Sequence, residues 1–144
     1  MLDRIWGRVE KVESKLRNRF GNSIDTPWQR FLSHVHFQLM DHGFLRILWT
    51  NFYQFSPNAF RSNQPSPRRL RKYKKLGIKT IINLRGTPKQ SHYLFEQEAC
   101  DELDLVLINC SIFARAFTSK KYFIELFDSF DELNGPFVLH CKSG

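Results

Sequence analysis

Cys141 is the residue of this sequence that is best placed to do chemistry. It follows the apolar run Phe137–His140 and is followed by Lys142, Ser143 and Gly144. Glycine lets a backbone fold tightly, so that its N–H groups can converge on an anion. Such a loop stabilises a thiolate, the nucleophilic form of cysteine. The pattern therefore fits a nucleophile in an anion-binding loop, and spacing alone fits a buried structural cysteine equally well.

The elements that would position this cysteine can be predicted from apolar patterning. Three short apolar runs are typical of buried strands: Ile78–Leu84, Leu105–Asn109 and Phe137–His140. Helical patterns accompany them: one from Ser66 to Gly77, one through Phe95, Ala99 and Leu103, and one from Thr118 or Ser119 to Gly135. We therefore predict an α/β fold with a mostly parallel central sheet flanked by helices. In such a sheet, ligands bind beyond the carboxyl ends of the strands, where Cys141 lies.

The first fifty residues have a different pattern. Apolar positions recur at helical spacing in residues 2–18 and again from Pro27 onwards, so residues 1–50 are predicted to form a helical extension. We expect both helices to pack on the domain, and peripheral contact with a membrane is the alternative use of their apolar faces. Residues 51–144 are predicted to form the α/β domain, with one or two short strands between residues 44 and 60.

The amino-acid composition indicates which partners and which cellular compartment suit this protein. The 144 residues include 22 Lys and Arg against 14 Asp and Glu, a net charge of +8 that favours anionic partners. Three cysteines form no CxxC motif and no paired framework, which favours a reducing compartment. The N-terminus lacks the apolar region of a signal peptide, and no stretch is apolar enough to span a bilayer. A soluble cytoplasmic protein is expected.

Two stretches resemble a known family. "VLHCKSG" resembles the first part of the HCxxGxxR signature of the cysteine-based protein tyrosine and dual-specificity phosphatases. "FRSNQPSPRRLRKYKKLGIKTIINLRG" (Phe60–Gly86) is similar to a stretch found in a bacterial branch of that superfamily. The order of strands and helices also fits, and the resemblance covers roughly residues 52–144. It implies a phosphatase-like fold.

The resemblance also implies residue roles. Cys141 would attack the phosphorus of a phosphate monoester and form a phosphocysteine. Backbone N–H groups of Lys142, Ser143 and Gly144 would hold the phosphate oxygens. His140 would orient the loop and favour the thiolate. Phosphotyrosine proteins would be the default substrates, phosphoserine or inositol phosphates would be alternatives, and no metal or organic cofactor would be required.

Two departures from the family pattern affect these expectations. The sequence ends at Gly144, before the arginine of the signature, so we expect a chain truncated within the signature, with activity expected of the intact form and left open for this chain. The family's general acid is an Asp about thirty residues before the cysteine, but the matching segment, Asn109–Ser119, contains no Asp or Glu. The nearby carboxylates lie on a polar helix face or at the wrong end of the sheet, so none is assigned: Asp101, Asp104, Asp128 and Asp131.

Several other polar groups are candidates for phosphate, nucleic-acid or metal sites. Arg61 and Arg85 follow strand-like segments and could line a phosphate pocket, with surface salt bridges as the equal alternative. The basic run Arg68–Lys75 could bind nucleic acid or phosphoinositide headgroups, but it is interpreted as a solvated helix face, since no nucleic-acid motif accompanies it. The cluster around residues 34–42 (His34, His36, Asp41 and His42) lacks metal-site spacing. Cys100 and Cys110 are interpreted as buried core residues.

Two further functions remain open from the sequence. A rhodanese-like sulfurtransferase would also carry a cysteine in a loop at a strand end, although the His140–Cys141 pair and the "RSNQPS" stretch favour a phosphatase. A non-catalytic module would use the anion-binding loop to bind phosphate or phosphoproteins but would not hydrolyse them. Neither alternative, nor the phosphatase, requires nucleic acid as a partner.

Overall fold

The computed structural model describes residues 12, 15, 19–110, 121, 124, 128, 130, 133 and 135–144. Most of the helix predicted at residues 2–18, the whole of 111–120 and most of the predicted third helix lie outside these residues. Where the third helix is described, Lys121, Ile124, Asp128 and Phe130 are helical.

The described elements alternate between helix and strand, as predicted from Ser66 onwards. In chain order they are α1 (Pro27–Val35), a π-helical turn (His36–Met40), α2 (Leu45–Leu48), β1 (Tyr53–Ser56), β2 (Ala59–Ser62), α3 (Pro67–Lys75), β3 (Thr80–Asn83), α4 (Ser91–Leu103), β4 (Val106–Asn109) and β5 (Phe137–His140). The region from residue 44 to 60 holds the predicted strands, but it also contains the short helix α2. The "FLRIL" run is compatible with either state because it is apolar without strict alternation.

Within the described residues, the central sheet has five strands in the order β1-β2-β5-β3-β4. β1 and β2 pair antiparallel, whereas β2–β5, β5–β3 and β3–β4 are parallel pairs. The prediction of an α/β fold with a mostly parallel sheet is therefore confirmed. The last strand in the chain, β5, is the middle strand of the sheet, so the residues that follow it leave from the centre of the sheet edge.

α3 begins and ends where its sequence signals lie. Ser66 adopts an extended conformation, and its side chain accepts a hydrogen bond from the Arg69 N–H at 3.4 Å, with Pro67 in the first turn. The chain leaves the helix through Gly77, whose φ of +84° is easily reached only by glycine. These caps fix the short connection that delivers the chain into β3.

α3 and α4 cover one face of the sheet. The core there consists of Leu70, Tyr73, Ile78, Ile81, Ala99, Cys100, Leu105 and Val138. Cys100 is fully buried as predicted, but the prediction for Cys110 is wrong, since that residue is only partly buried. It follows β4 at the open edge of the sheet, where few side chains can cover it.

α1 packs on the α/β domain, as expected for the second predicted helix. Arg30 Nη1 lies 2.7 Å from Glu98 Oε2 on α4, and the His34 ring stacks on Phe95 with centroids 4.3 Å apart. Within the described ranges, no helix is both long enough and apolar enough to cross a membrane.

Candidate active site

Cys141 lies at the carboxyl edge of the parallel strands, directly after β5. The neighbouring strands end at the same level, because Ser62 of β2 and Asn83 of β3 both lie in register with His140. The thiol is a free cysteine that is only partly buried, so a ligand can reach it. The topology thus places Cys141 at the carboxyl edge of the sheet, as predicted.

The loop Cys141–Gly144 folds back on its own cysteine. The Gly144 backbone N–H donates to Cys141 Sγ at 3.2 Å. Gly144 has a φ of +94°, and a Cβ at this position would lie 3.0 Å from Asn51 Cβ. The glycine is therefore required by conformation and by space. An N–H group aimed at sulfur stabilises negative charge on it.

Two neighbouring segments hold this loop. Asn51 Nδ2 donates to the Ser143 carbonyl oxygen at 3.2 Å, and the Gln64 backbone N–H donates to the Lys142 carbonyl oxygen at 3.4 Å. Both contacts hold the loop through its carbonyl oxygens. Asn51 itself has a φ of +46°, a conformation that asparagine tolerates better than most residues.

His140 is buried beneath the loop and faces a buried carboxylate. Its Nε2 lies 2.6 Å from Glu96 Oε1, and both side chains are completely inaccessible to solvent. The two atoms are close enough to interact electrostatically, although their alignment is not that of a hydrogen bond. His140 Nδ1 lies 3.4 Å from the Cys141 carbonyl oxygen. The imidazole is thereby fixed between α4 and the start of the loop.

A row of buried polar side chains continues from Glu96 across the sheet edge. Gln64 Nε2 donates to Glu96 Oε2 at 3.1 Å, and Gln64 Oε1 accepts from Arg85 Nη1 at 2.8 Å. The side-chain amide of Gln64 thus connects a carboxylate to a guanidinium. Because buried polar groups must find partners, this row ties His140 to two segments that are distant in sequence.

The row of buried polar side chains ends at an ion pair between Arg85 and Asp41. Arg85 Nη2 lies 2.8 Å from Asp41 Oδ1, and Arg46 Nη2 lies 2.6 Å from Asp41 Oδ2. Burial by itself would raise the pKa of Asp41, but the hydrogen bond and charge of Arg85 outweigh it and hold that pKa well below its ordinary value. Lys142 Nζ lies 3.8 Å from the same carboxylate. Asp41 is therefore ionised and unsuited to donate a proton.

The two arginines predicted for a phosphate pocket lie in different surroundings. Arg85 is near the loop through its network, but its guanidinium is engaged by Asp41 and Gln64. Arg61 is exposed, and its guanidinium carbon lies 5.5 Å from the centre of the Tyr53 ring. Successive side chains of a strand point to opposite faces, so Arg61 faces away from Ser62.

Part of the basic run on α3 is structural instead of solvated. Arg69 is half-buried, and its Nη2 donates to the Thr50 carbonyl at 3.1 Å and to the Tyr73 hydroxyl at 2.7 Å. Its Nη1 donates to Asn63 Oδ1. The prediction of a solvated face is wrong for this residue, because the "SNQ" stretch presents buried acceptors to it.

Sequence reasoning missed the polar residues behind the loop. Glu96 could have been noticed, since it lies three residues before Ala99 on the apolar stripe of α4 and is 1% exposed. Asp41 and Asn51 carry no sequence signal, as their partners are set by tertiary packing. Among the described residues, no three His, Cys, Asp or Glu side chains are grouped as they would be around a metal ion.

The fold is similar to that of several solved phosphatases. A candidate phosphatase (DUF442) from Shewanella putrefaciens CN-32 matches with a TM-score of 0.59 and 15% identity over 65% of this chain and 60% of that one. TpbA of P. aeruginosa, also solved in complex with pTyr, matches with a TM-score of 0.53 and 18% identity over 65% and 54%. The core catalytic domain of the PP-IP phosphatase SIW14 from S. cerevisiae matches with a TM-score of 0.55 and 16% identity over 65% and 57%.

These similarities concern the fold, and they extend over part of each neighbour. The chain spans 54–60% of the length of the three structures. No protein-family model matches the sequence, and no curated protein sequence is significantly similar to it. The phosphatase-like architecture is therefore shown by three-dimensional similarity alone, at identities of 15–18%.

Proposed function

We propose that this chain is the nucleophile-bearing part of a cysteine-dependent phosphatase that hydrolyses phosphate monoesters through Cys141. One observation carries the proposal: a partly exposed thiol follows the middle strand of the sheet, and the Gly144 N–H of its own loop donates to the sulfur at 3.2 Å. The architecture shared with known phosphatases supports the same assignment.

The reaction proceeds in two displacements. The Cys141 thiolate attacks phosphorus, an S–P bond forms, and the bond from phosphorus to the ester oxygen breaks, so that the oxygen leaves as an oxyanion and takes a proton from solvent water. Water then attacks phosphorus, the S–P bond breaks, and inorganic phosphate leaves with the thiolate restored. Loop N–H groups of Lys142, Ser143 and Gly144 stabilise the equatorial oxygens, where charge is present throughout. No metal or organic cofactor takes part in these steps.

His140 and Glu96 act together as positioning residues in this proposal. The buried carboxylate at 2.6 Å orients the imidazole, and the imidazole sets the path of the backbone that carries the sulfur. Both groups lie behind the loop, so neither is in a position to contact a substrate. Their expected effect is on the state and placement of the thiol.

Phosphotyrosine in proteins is the substrate we favour. TpbA was solved with pTyr, and an aryl phosphate has a good leaving group, which suits a site where no general acid has been identified. SIW14 acts on PP-IP, so inositol phosphates form the second class to test. A reducing, cytoplasmic setting fits three cysteines that are all free.

The test is hydrolysis of an aryl phosphate by the full-length protein and its Cys141→Ser variant. We expect kcat/KM to fall by at least about 1,000-fold, since removal of a nucleophile abolishes the first displacement. Cys110→Ser is the matched control, because Cys110 is also a partly buried free thiol near a strand end, and its activity should stay within about twofold. Unchanged turnover in Cys141→Ser would overturn the assignment.

The two other functions give different results in the same preparation. Thiosulfate-dependent transfer of sulfur to cyanide without phosphate release would identify a sulfurtransferase. Binding of a phosphopeptide without any turnover would identify a non-catalytic module. Nothing in the described geometry favours either over hydrolysis.

A further inference from the structure

A second cationic feature lies beside the Cys141 loop, and Gln64, which donates to the Lys142 carbonyl oxygen, is part of its lining. A cavity of about 440 Å³ opens between the segment that contains the π-helical turn and α2 on one side and the first half of α3 on the other. Its lining includes five cationic side chains and no carboxylate: Arg46, Arg68, Arg69, Arg71 and Lys72. Cys141 and its loop are not part of this lining. A cleft with walls of one charge sign concentrates ions of the opposite sign.

Most of this positive charge is not neutralised. Arg68, Arg71 and Lys72 are exposed, and none of them pairs with a carboxylate among the described residues. They follow one another at helical spacing, so they share one face of α3. Arg46 differs, because it is engaged by Asp41. Three solvent-facing cations at the cavity mouth therefore determine its charge.

The rim of the cavity is apolar and exposed. Ile47 lines the cavity and is 69% exposed, and the next two residues, Leu48 and Trp49, are 93% and 61% exposed. A leucine exposed to that degree is costly in water, and adjacent large apolar residues on a surface indicate a site of contact. Trp beside aliphatic residues is typical of segments that enter the interface of a bilayer.

From these observations we infer that the cavity and its rim bind the surface of an anionic membrane. Leu48 and Trp49 enter the boundary between headgroups and acyl chains, while Arg68, Arg71 and Lys72 face lipid phosphates. Phosphatidylglycerol is an anionic lipid whose phosphate would complement these three exposed cations. The apolar rim favours a bilayer over nucleic acid, which offers no apolar interior. The inference does not depend on the proposed catalysis.

The experiment is flotation of the full-length protein with vesicles of phosphatidylcholine, with and without phosphatidylglycerol. We expect flotation only with phosphatidylglycerol present, and weaker flotation as salt rises. The double variant Arg71→Glu/Lys72→Glu should bind at least about twentyfold more weakly, because each basic residue at an anionic surface contributes about a fivefold factor. Leu48→Ser should weaken binding by about tenfold through loss of the inserted side chain.

Matched control variants distinguish binding at this site from the general attraction of anionic vesicles to a basic protein. Lys74→Glu/Lys79→Glu makes the same change in net charge with exposed lysines outside the cavity lining, and Leu76→Ser removes another exposed leucine, at the end of α3. Both should float like the unmodified protein. Equal losses in test and control variants, flotation with phosphatidylcholine alone, or capture by RNA but not by vesicles would overturn the inference. Hydrolysis of a water-soluble aryl phosphate should be unchanged in all four variants.

Discussion

Cys141 and Cys100 are both free thiols of one small domain, and their surroundings differ in every respect that governs reactivity. Cys100 lies on α4 in the core with no exposed surface, and burial, assisted by the charge of Glu96, raises its pKa to about 12. Cys141 lies in a loop at the sheet edge, partly exposed, with a backbone N–H donated to its sulfur. Two residues of the same type thus differ through their places in the fold: Cys100 is a core residue, and Cys141 has the exposure and the N–H contact that our proposal requires of a nucleophile.

Glu96 belongs to both environments. Its negative charge opposes formation of a thiolate at Cys100, while its carboxylate holds the imidazole of His140. One buried side chain of α4 thus raises the pKa of the Cys100 thiol and also contacts the histidine beneath the Cys141 loop.

The largest difference that we expect is in alkylation of the native protein by iodoacetamide. With a pKa of about 12, roughly 1 in 100,000 Cys100 thiols is ionised at pH 7, and burial restricts access further. Cys141 should therefore react at least about 1,000 times faster, as read from peptide masses over time. In denaturant the two should react at similar rates. Comparable alkylation rates of Cys141 and Cys100 in the folded protein would contradict the difference in reactivity that we infer.

Loop geometry is tested next by Gly144→Ala. The positive φ and the approach of Asn51 leave no room for a Cβ, so the N–H that faces Cys141 should move. We expect kcat/KM for an aryl phosphate to fall about 100-fold, a loss typical of an N–H donor displaced from an anion site. Gly77→Ala is the control, since Gly77 also has positive φ but no atom within 4 Å of an added Cβ. That variant should lose about 1 kcal/mol of stability and no activity.

Support of His140 is tested by Glu96→Gln, which keeps the shape of the side chain and removes its charge. We expect kcat/KM to fall about tenfold and the acidic limb of its pH profile to move, because the imidazole loses its carboxylate partner. Glu98→Gln, on the same helix, is the control: it removes a part-exposed ion pair with Arg30 and should leave the profile unchanged. An unaltered pH profile in Glu96→Gln would confine Glu96 to a structural role.

The smallest expected effect concerns His92, a buried histidine of α4 near the charged residues behind the Cys141 loop. Burial first, and then the charge of Arg85, lower its pKa from 6.5 to about 3, with Asp41, Arg46 and His36 as the other titratable neighbours. In the unfolded chain, His92 becomes protonated as pH falls below 6.5, whereas in the folded chain it becomes protonated only near pH 3. The free energy of unfolding therefore decreases as pH falls through this range. The loss reaches at most about 1.4 kcal/mol per pH unit.

Urea unfolding between pH 6.5 and 4 measures that slope. His92→Gln should flatten it, because glutamine does not titrate. An identical slope in the variant would show that His92 is protonated to the same extent in the folded and unfolded chains.

Much of the framework follows from local sequence. Ser66 with Pro67 predicts the start of α3, and the apolar run ending at His140 predicts β5 residue for residue. Position along a strand then places Cys141 at the sheet edge, because parallel strands share one carboxyl end. These predictions succeed since caps, periodicity and strand direction are local or topological properties.

The supports of the site are not local, and the sequence does not reveal them. Asp41 meets Arg85 across 44 residues, and Asn51 meets Ser143 across 92. Their roles depend on packing between segments that no period or motif links. Arg85 is a further example. Its position after β3 predicts that it lies near the loop, but only the tertiary structure shows that its guanidinium faces the buried carboxylate of Asp41.

The most direct test of the central claim is chemical trapping of the intermediate. The full-length protein is mixed with an aryl phosphate labelled on phosphorus, quenched within milliseconds in denaturant, and digested for peptide mapping. We predict one labelled peptide, with phosphate bound through sulfur at Cys141, and no label in the Cys141→Ser variant. Phosphate release at an undiminished rate with no label on Cys141, or with label on another residue, would contradict the account.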